Sequence, residues 1–416
     1  MSDRRVVITG IGCLSPLGNN LEDTWAGMKE GRAGIGTITQ IDPAPYDCRI
    51  AGEVKGFEPD GYFSAPKDAR RADRFIQFAV AAAKMAVDHA GLEIGKLDPT
   101  RIGTMVGSGI GGLATLEREH GVLLERGPSR VSPFVIPMMI SNMATGIISM
   151  EQGLKGPSMS IVTACATSNH SIGEAWRIIK FGDADAFVCG GAEASILPLG
   201  LSGFGRMKAL STRNDDPARA SRPFDLHRDG FVMGEGAGVL VIEELEHAKR
   251  RGAPILAEII GYGASSDAYH LSAPSPDGEG PAKAIEMALK HGGVAPCEVD
   301  YLNAHATSTG LGDIAEVKAI RRAFGDHVDN GLMVSSTKSM TGHMLGAAGG
   351  IELIACVMAI RDGVVPPTIN SEELDPECQI DCVPNTARET KVKVAISNSF
   401  GFGGHNASLL VRRFEG

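Results

Sequence analysis

An internal echo constrains this chain more than any single motif. MSIVTACATSNHSIGEAWRIIKFGDA (159–184) and GLMVSSTKSMTGHMLGAAGGIELIACVMAIRDG (331–363) share one layout: an extended apolar run, a polar turn, a helix of small residues, then a charged stop. RVVITGIGCLS (5–15) and AEIIGYGASSD (257–267) both read as strand, glycine turn, serine. Between these, the apolar runs RIGTMVGSG, AFVCGG, GVLVIEE and VKVAISNSF alternate with helical stretches such as RFIQFAVAAAKMAVDHA, the pattern of crossover units and largely parallel sheets. The expectation is an α/β protein of two similar halves, 1–252 and 253–416, dividing at the short KRRGAP connection.

Composition narrows what such a protein does. At 416 residues, 43% hydrophobic and 22% charged, the chain reads as globular and large enough for two domains. Its 53 glycines, well above the usual share of about 7%, imply tight turns and close backbone approaches. A net charge of −10 argues against a general nucleic-acid binder. No apolar run approaches the roughly 18 residues of a membrane helix, and the apolar start reads as a first strand rather than a signal peptide. Eight scattered cysteines without CxxC spacing fit reduced thiols and a cytoplasmic location.

Four segments could carry chemistry. Cys165 lies where β-branched Ile161–Thr163, an expected strand, gives way to a helix with apolar positions Ile172, Ala175 and Ile178. Amides at a helix start favour a thiolate, so the Cys165 pKa is expected to fall, and they could hold an oxyanion. His305 follows a short strand, with Glu316 eleven positions on in a helix. Lys338 and His343 lie between a strand and a glycine- and alanine-rich helix, where α/β folds place functional groups. SNSFGFGGHNAS (397–408) reads as strand, glycine turn and strand, able to aim amides at an oxyanion. Taken singly, each has a plainer reading: a buried hydrophobic thiol, a satisfied core histidine, a tight hairpin. Together they form a coherent set.

TACATSNHSIGEA, NAHATSTGLGD, KSMTGHMLGAAG and NSFGFGGHN, in that order, resemble the active-site motifs of the β-ketoacyl-acyl-carrier-protein synthases, of the elongating synthase II type. PFDLHRDGFVMGEGAG (223–238) and VVITGIGCLSPLG match too, so the resemblance spans the chain. It implies a thiolase-like fold with pseudo-symmetric βα halves in α-β-α-β-α layers, usually a homodimer, with the nucleophile in the first half and two catalytic histidines in the second. Cys165 would take the acyl group, and His305 and His343 would stabilise the enolate of a decarboxylating malonyl thioester. The amides of Cys165 and Phe402 would form an oxyanion hole, with Phe402 as the gate. Lys338 and Glu316 match a charged pair that organises the site. Thr307 and Thr309 match residues that bind the phosphopantetheine arm, Ile110 the acyl-pocket wall, and Phe231 and Phe400 substrate contacts. Asn303, Glu352, Ser397 and Asn398 resemble a site for a structural monovalent cation; the chemistry itself would need no cofactor. Lys67, Arg70, Arg71, Arg206 and Lys208 would dock an acidic acyl carrier protein.

Rival readings remain. ITGIGCLS suggests a dinucleotide fingerprint, but Ser15 replaces its third glycine. A cysteine hydrolase would leave the second histidine and the gating phenylalanine unexplained. A non-catalytic chain-length partner subunit would lack the cysteine. A condensing enzyme of a polyketide-like pathway stays open. Ala306, Gly310 and His405 depart from the commonest family pattern.

Overall fold

The computed structural model describes residues 4–416. Nine strands form the main sheet: β1 (Val6–Leu14), β2 (Ile102–Gly107), β3 (Ala186–Glu193), β4 (Gly236–Glu244), β5 (Ala257–Ser266), β6 (Tyr301–Asn303), β7 (Met333–Ser335), β8 (Val394–Gly401) and β9 (His405–Arg412). Their order is β2-β3-β4-β1-β5-β9-β8-β6-β7, so each half contributes one contiguous block and the blocks meet where β1 pairs antiparallel with β5. Five helices matter for the site: α1 (Arg74–Ala90), α2 (Thr167–Phe181), α3 (Glu279–Gly292), α4 (Gly310–Phe324) and α5 (Ala348–Asp362).

Strand alternation sorts the side chains into layers. In β4, Val239 and Val241 enter an apolar cluster with α1, whereas Leu240 and Ile242 enter a second cluster with α2 and α5. A third cluster joins α3 and α4 to Leu302, Ile396 and Leu410. Three cores separated by two half-sheets give the five expected layers. Helix α5 lies in the middle, buried on every side from Ala348 to Ile360.

The echo persists at atomic scale. A Cβ on Gly10 or Gly12 of β1 would lie 2.2 and 2.0 Å from the carbonyls of Ala86 and Ala82 in α1. On Gly261 or Gly263 of β5 it would lie 2.1 and 1.8 Å from Ala288 and Ala284 in α3. These glycines let a helix seat directly on a strand, so GIG near the start is a packing device, not a phosphate cradle. The expected strand at Ile161–Thr163 does not form. That segment's ladder is a single bridge, Ser158 with Thr104 of β2, whereas its counterpart β7 pairs fully with β6. Met159 and Val162, about half exposed, leave its outer side open.

Candidate active site

The two central helices start alike. A 3₁₀ turn, Ala164–Ala166, precedes α2, and another, Leu345–Ala347, precedes α5. Each begins at a non-glycine residue with positive φ, Ala164 at 49° and Leu345 at 46°. Such backbone is costly and is retained where surrounding structure enforces it. The turn aims Cys165 into a cavity of about 660 Å³. The β8–β9 hairpin closes over it: a Cβ on Gly401 would fall 2.5 Å from the Thr163 carbonyl and 3.1 Å from the Cys165 nitrogen, and the Phe402 amide faces the Cys165 sulfur. The Phe402 ring leans on Phe204, centroids 6.4 Å apart.

Both histidines come to this sulfur. His343 Nε2 lies 2.9 Å from Cys165 Sγ, and one nitrogen of each imidazole lies within 4.8 Å of the sulfur and of the other. The PFDLHRDGFVMGEGAG segment fixes the first ring's backbone: the His343 amide donates to the Val232 carbonyl at 2.7 Å, and the Gly234 amide to the His343 carbonyl at 2.8 Å. Glu316 fixes the second by accepting from the amides of His305 (2.9 Å) and Ala306 (2.6 Å). Phe231 meets His343 edge-on and Phe400 meets His305. Burial, then the nearby Lys338 charge, holds both imidazoles well below the ordinary histidine range, so they are neutral at pH 7. Their Nδ1 atoms have no hydrogen-bond partner among the described residues. A thiol and two imidazoles also make a transition-metal donor set; the largely apolar cavity that they line suits an acyl chain.

Two expectations need correcting. Burial pushes the Cys165 thiol up to about 12 rather than down; Lys338 and the Phe402 amide pull against it, while Glu193 and Glu352 add to it. Desolvation of a thiolate outweighs one helix start. The ion-pair partner of Lys338 is Glu352, not Glu316, and both members are essentially fully buried. Glu316 instead accepts from the two amides and Asn398, and burial pushes its carboxyl up to about 7.

The cation quartet divides. Asn303 Oδ1, Glu352 Oε2 and Ser397 Oγ are buried without hydrogen-bond partners among the described residues, and Asn303 and Ser397 face each other across the β6–β8 pair. These oxygens fit a cation. The Asn398 side chain is spent on Glu316 and Ser408. Ile110, Thr307, Thr309, Phe231 and Phe400 all line the cavity, with the two threonine hydroxyls 3.2 Å apart. Lys208 lines it too; Arg206, two residues away, is exposed. Lys67, Arg70 and Arg71 are exposed away from the cavity lining, with Arg71 stacked 4.7 Å over Phe134. Sequence reading missed two groups. Arg228, nearly fully buried, donates to the Thr309 and Gly310 carbonyls and so holds the threonine loop. Glu193 ends β3; its signal was a carboxylate at the carboxyl end of an otherwise apolar strand.

A nucleophilic thiol, two neutral imidazoles and an amide-lined turn, set between two similar βα halves, define a condensing enzyme. The family model for the beta-ketoacyl synthase N-terminal domain matches residues 3–248, and that for the C-terminal domain residues 256–372. The chain belongs to the beta-ketoacyl synthase family. It is 52% identical over 415 residues to a 3-oxoacyl-[acyl-carrier-protein] synthase 2 from Synechocystis, covering 100% of this chain and 99% of the relative. It is 53% identical over 413 residues to the Staphylococcus aureus (strain COL) protein of that name, covering 99% of each. Among solved structures, an ishigamide ketosynthase/chain length factor superposes with TM-score 0.93 at 37% identity, covering 100% of both chains. A type II polyketide ketosynthase in complex with its acyl carrier protein gives 0.91 at 32%, covering 99% and 100%. No helix among the described residues is long and apolar enough to cross a membrane.

Proposed function

We propose that this protein is a 3-oxoacyl-acyl-carrier-protein synthase that elongates fatty acyl chains by two carbons. The observation that carries the reading is the convergence of Cys165, His305 and His343, from both halves of the chain, in the lining of one largely apolar cavity. The Cys165 sulfur attacks the acyl thioester carbon and displaces the carrier's sulfur, the thiol proton passing to that leaving sulfur so that the carrier departs as a thiol, and the acyl group stays activated as a new thioester. Malonyl thioester then loses carbon dioxide: the carbon–carbon bond breaks, its electron pair enters an enolate, and hydrogen bonds from the two neutral imidazoles stabilise the enolate oxygen. The enolate carbon attacks the acyl carbonyl on Cys165. The amides of Cys165 and Phe402 hold the resulting oxyanion, and its collapse returns the sulfur and releases the 3-oxoacyl product.

Lys338 organises the histidines electrostatically, and Thr307 and Thr309 meet the carrier's phosphopantetheine arm. The exposed Lys67, Arg70, Arg71, Arg206 and Lys208 give an acidic carrier protein a surface to dock. A homodimer would cover the apolar side chains left open on the segment beside β2, Met159 and Val162. The three orphaned oxygens of Asn303, Glu352 and Ser397 would hold a structural monovalent cation. Eight free cysteines fit a reducing cytoplasm. The polyketide-like reading is weaker, since the 3-oxoacyl-[acyl-carrier-protein] synthase 2 relatives are 52–53% identical against 32% for the type II polyketide ketosynthase structure.

Incubation with malonyl carrier protein and acyl carrier-protein thioesters of graded length tests the proposal. Products two carbons longer and bearing a 3-oxo group are expected; free fatty acid alone would point to the hydrolase. In His343→Ala, carbon dioxide release from malonyl carrier protein should fall by about 10²–10³, the usual cost of one oxyanion donor, while self-acylation persists. Unchanged release would remove His343 from the enolate site. Ile110→Phe should fill the cavity wall and lower turnover of palmitoyl relative to octanoyl substrate by about tenfold. An unaltered length profile would place the acyl chain elsewhere.

A further inference from the structure

We infer that Glu193 is a positioning residue that sets acyl-chain length by holding the Ile110 wall of the cavity against the start of the central helix α5. The inference rests on the condensing-enzyme reading above. Glu193 ends β3, has no exposed surface, and forms no salt bridge among the described residues. An unpaired carboxylate in such a place is expensive, and what offsets it is a set of four donors. Glu193 Oε1 accepts from Ser108 Oγ at 2.8 Å and the Ile110 amide at 3.3 Å. Oε2 accepts from the Gly109 amide at 2.8 Å and the Gly346 amide at 3.0 Å.

These donors belong to two segments from opposite halves. One is the Ser108–Ile110 loop, whose last residue lines the cavity. The other is the turn that opens α5, three residues after His343. Gly346 occupies there the place that Cys165 holds before α2, second in a 3₁₀ turn behind a positive-φ residue. Nothing larger fits: a Cβ on Gly346 would lie 2.4 Å from the Gly109 nitrogen and 2.8 Å from Glu193 Oε2. The carboxylate therefore clamps wall and catalytic turn at fixed separation. That separation sets how much acyl chain fits past Ile110.

Glu193→Gln separates the two tethers. A glutamine can keep its oxygen at the Oε2 position, satisfying Gly109 and Gly346, and donate its amide to Ser108 Oγ, which can accept. The one bond it cannot make is to the Ile110 amide. The variant should loosen the wall selectively. With the full-length enzyme, malonyl carrier protein and acyl carrier-protein thioesters from octanoyl to palmitoyl, the ratio of kcat/KM for long over short chains should rise about tenfold. The same substitution in an Ile110→Ala background should leave that ratio as Ile110→Ala alone sets it, because Glu193 acts through Ile110. An equal loss at every chain length, an unchanged ratio, or additive shifts in the double variant would each overturn the inference. Absence of 3-oxo products from the unmutated enzyme would instead overturn the underlying reading.

Discussion

Cys165→Ala should form no acyl-enzyme at any chain length, and condensation should fall by at least about 10⁴-fold, the scale on which removal of a covalent nucleophile is felt. The sulfur is the sole thiol in the cavity lining, so no neighbour can substitute. Incubation with acyl carrier protein followed by intact-protein mass measurement reads the adduct directly. Decarboxylation of malonyl carrier protein should survive, because the two imidazoles that hold the enolate remain. This split distinguishes loss of the nucleophile from collapse of the site. A retained adduct would show that another group carries the acyl chain.

The thiol's high resting pKa bears on how this nucleophile works. At about 12, a thiolate is scarce at neutral pH in the closed site, so attack must draw on groups that appreciate the charge as it forms. His343 Nε2 at 2.9 Å, the Phe402 amide and the Lys338 charge all face the sulfur. Sequence reading could place Cys165 at a turn before a helix, because β-branched Val162 and Thr163 beside small Ala166 mark that change locally. It could not see that the β8–β9 hairpin and the Phe231–His343 layer bury the sulfur. Desolvation is a property of what packs on top, and it reversed the expected shift.

The same distinction runs through the rest of the site. All nine strands were legible because apolar runs ending at glycines or polar turns announce themselves, β6 and β7 as the short strands ahead of His305 and Lys338, and the GIG and GYG pairs seat helices. Ile161–Thr163 had the composition of a strand but makes no ladder pairing, the one bridge to β2 lying ahead of it at Ser158, since pairing depends on what lies at a sheet margin. The family resemblance paired Glu316 with Lys338. The fold instead runs α5 back past Lys338 and delivers Glu352. Glu193 stayed silent because one acidic residue closing an apolar strand has no meaning until the loops that donate to it are in place.

Lys338→Met should be the most damaging change to stability. Lys338 and Glu352 are about 1% and 2% exposed and form an ion pair. Removing one member of such a pair costs about 3–5 kcal/mol because the survivor, dry and without its partner, must either carry an uncompensated charge or take up a proton, a large share of the 5–15 kcal/mol that holds a typical domain folded. The loss should depend on pH. Burial already raises the Glu352 carboxyl, and the Lys338 charge is what opposes it. Without the lysine, the folded state keeps Glu352 protonated well above the pH at which the unfolded chain releases that proton. The unfolded state then binds fewer protons, so stability falls as pH rises through that interval. Denaturant melts should show a larger deficit against the unmutated protein at pH 8 than at pH 5. Adding Glu352→Gln should recover part of it, since the buried charge is gone. A deficit that ignores both pH and the second substitution would mean that Lys338 contributes packing alone, and that the charge facing the histidines and Cys165 is set by other groups.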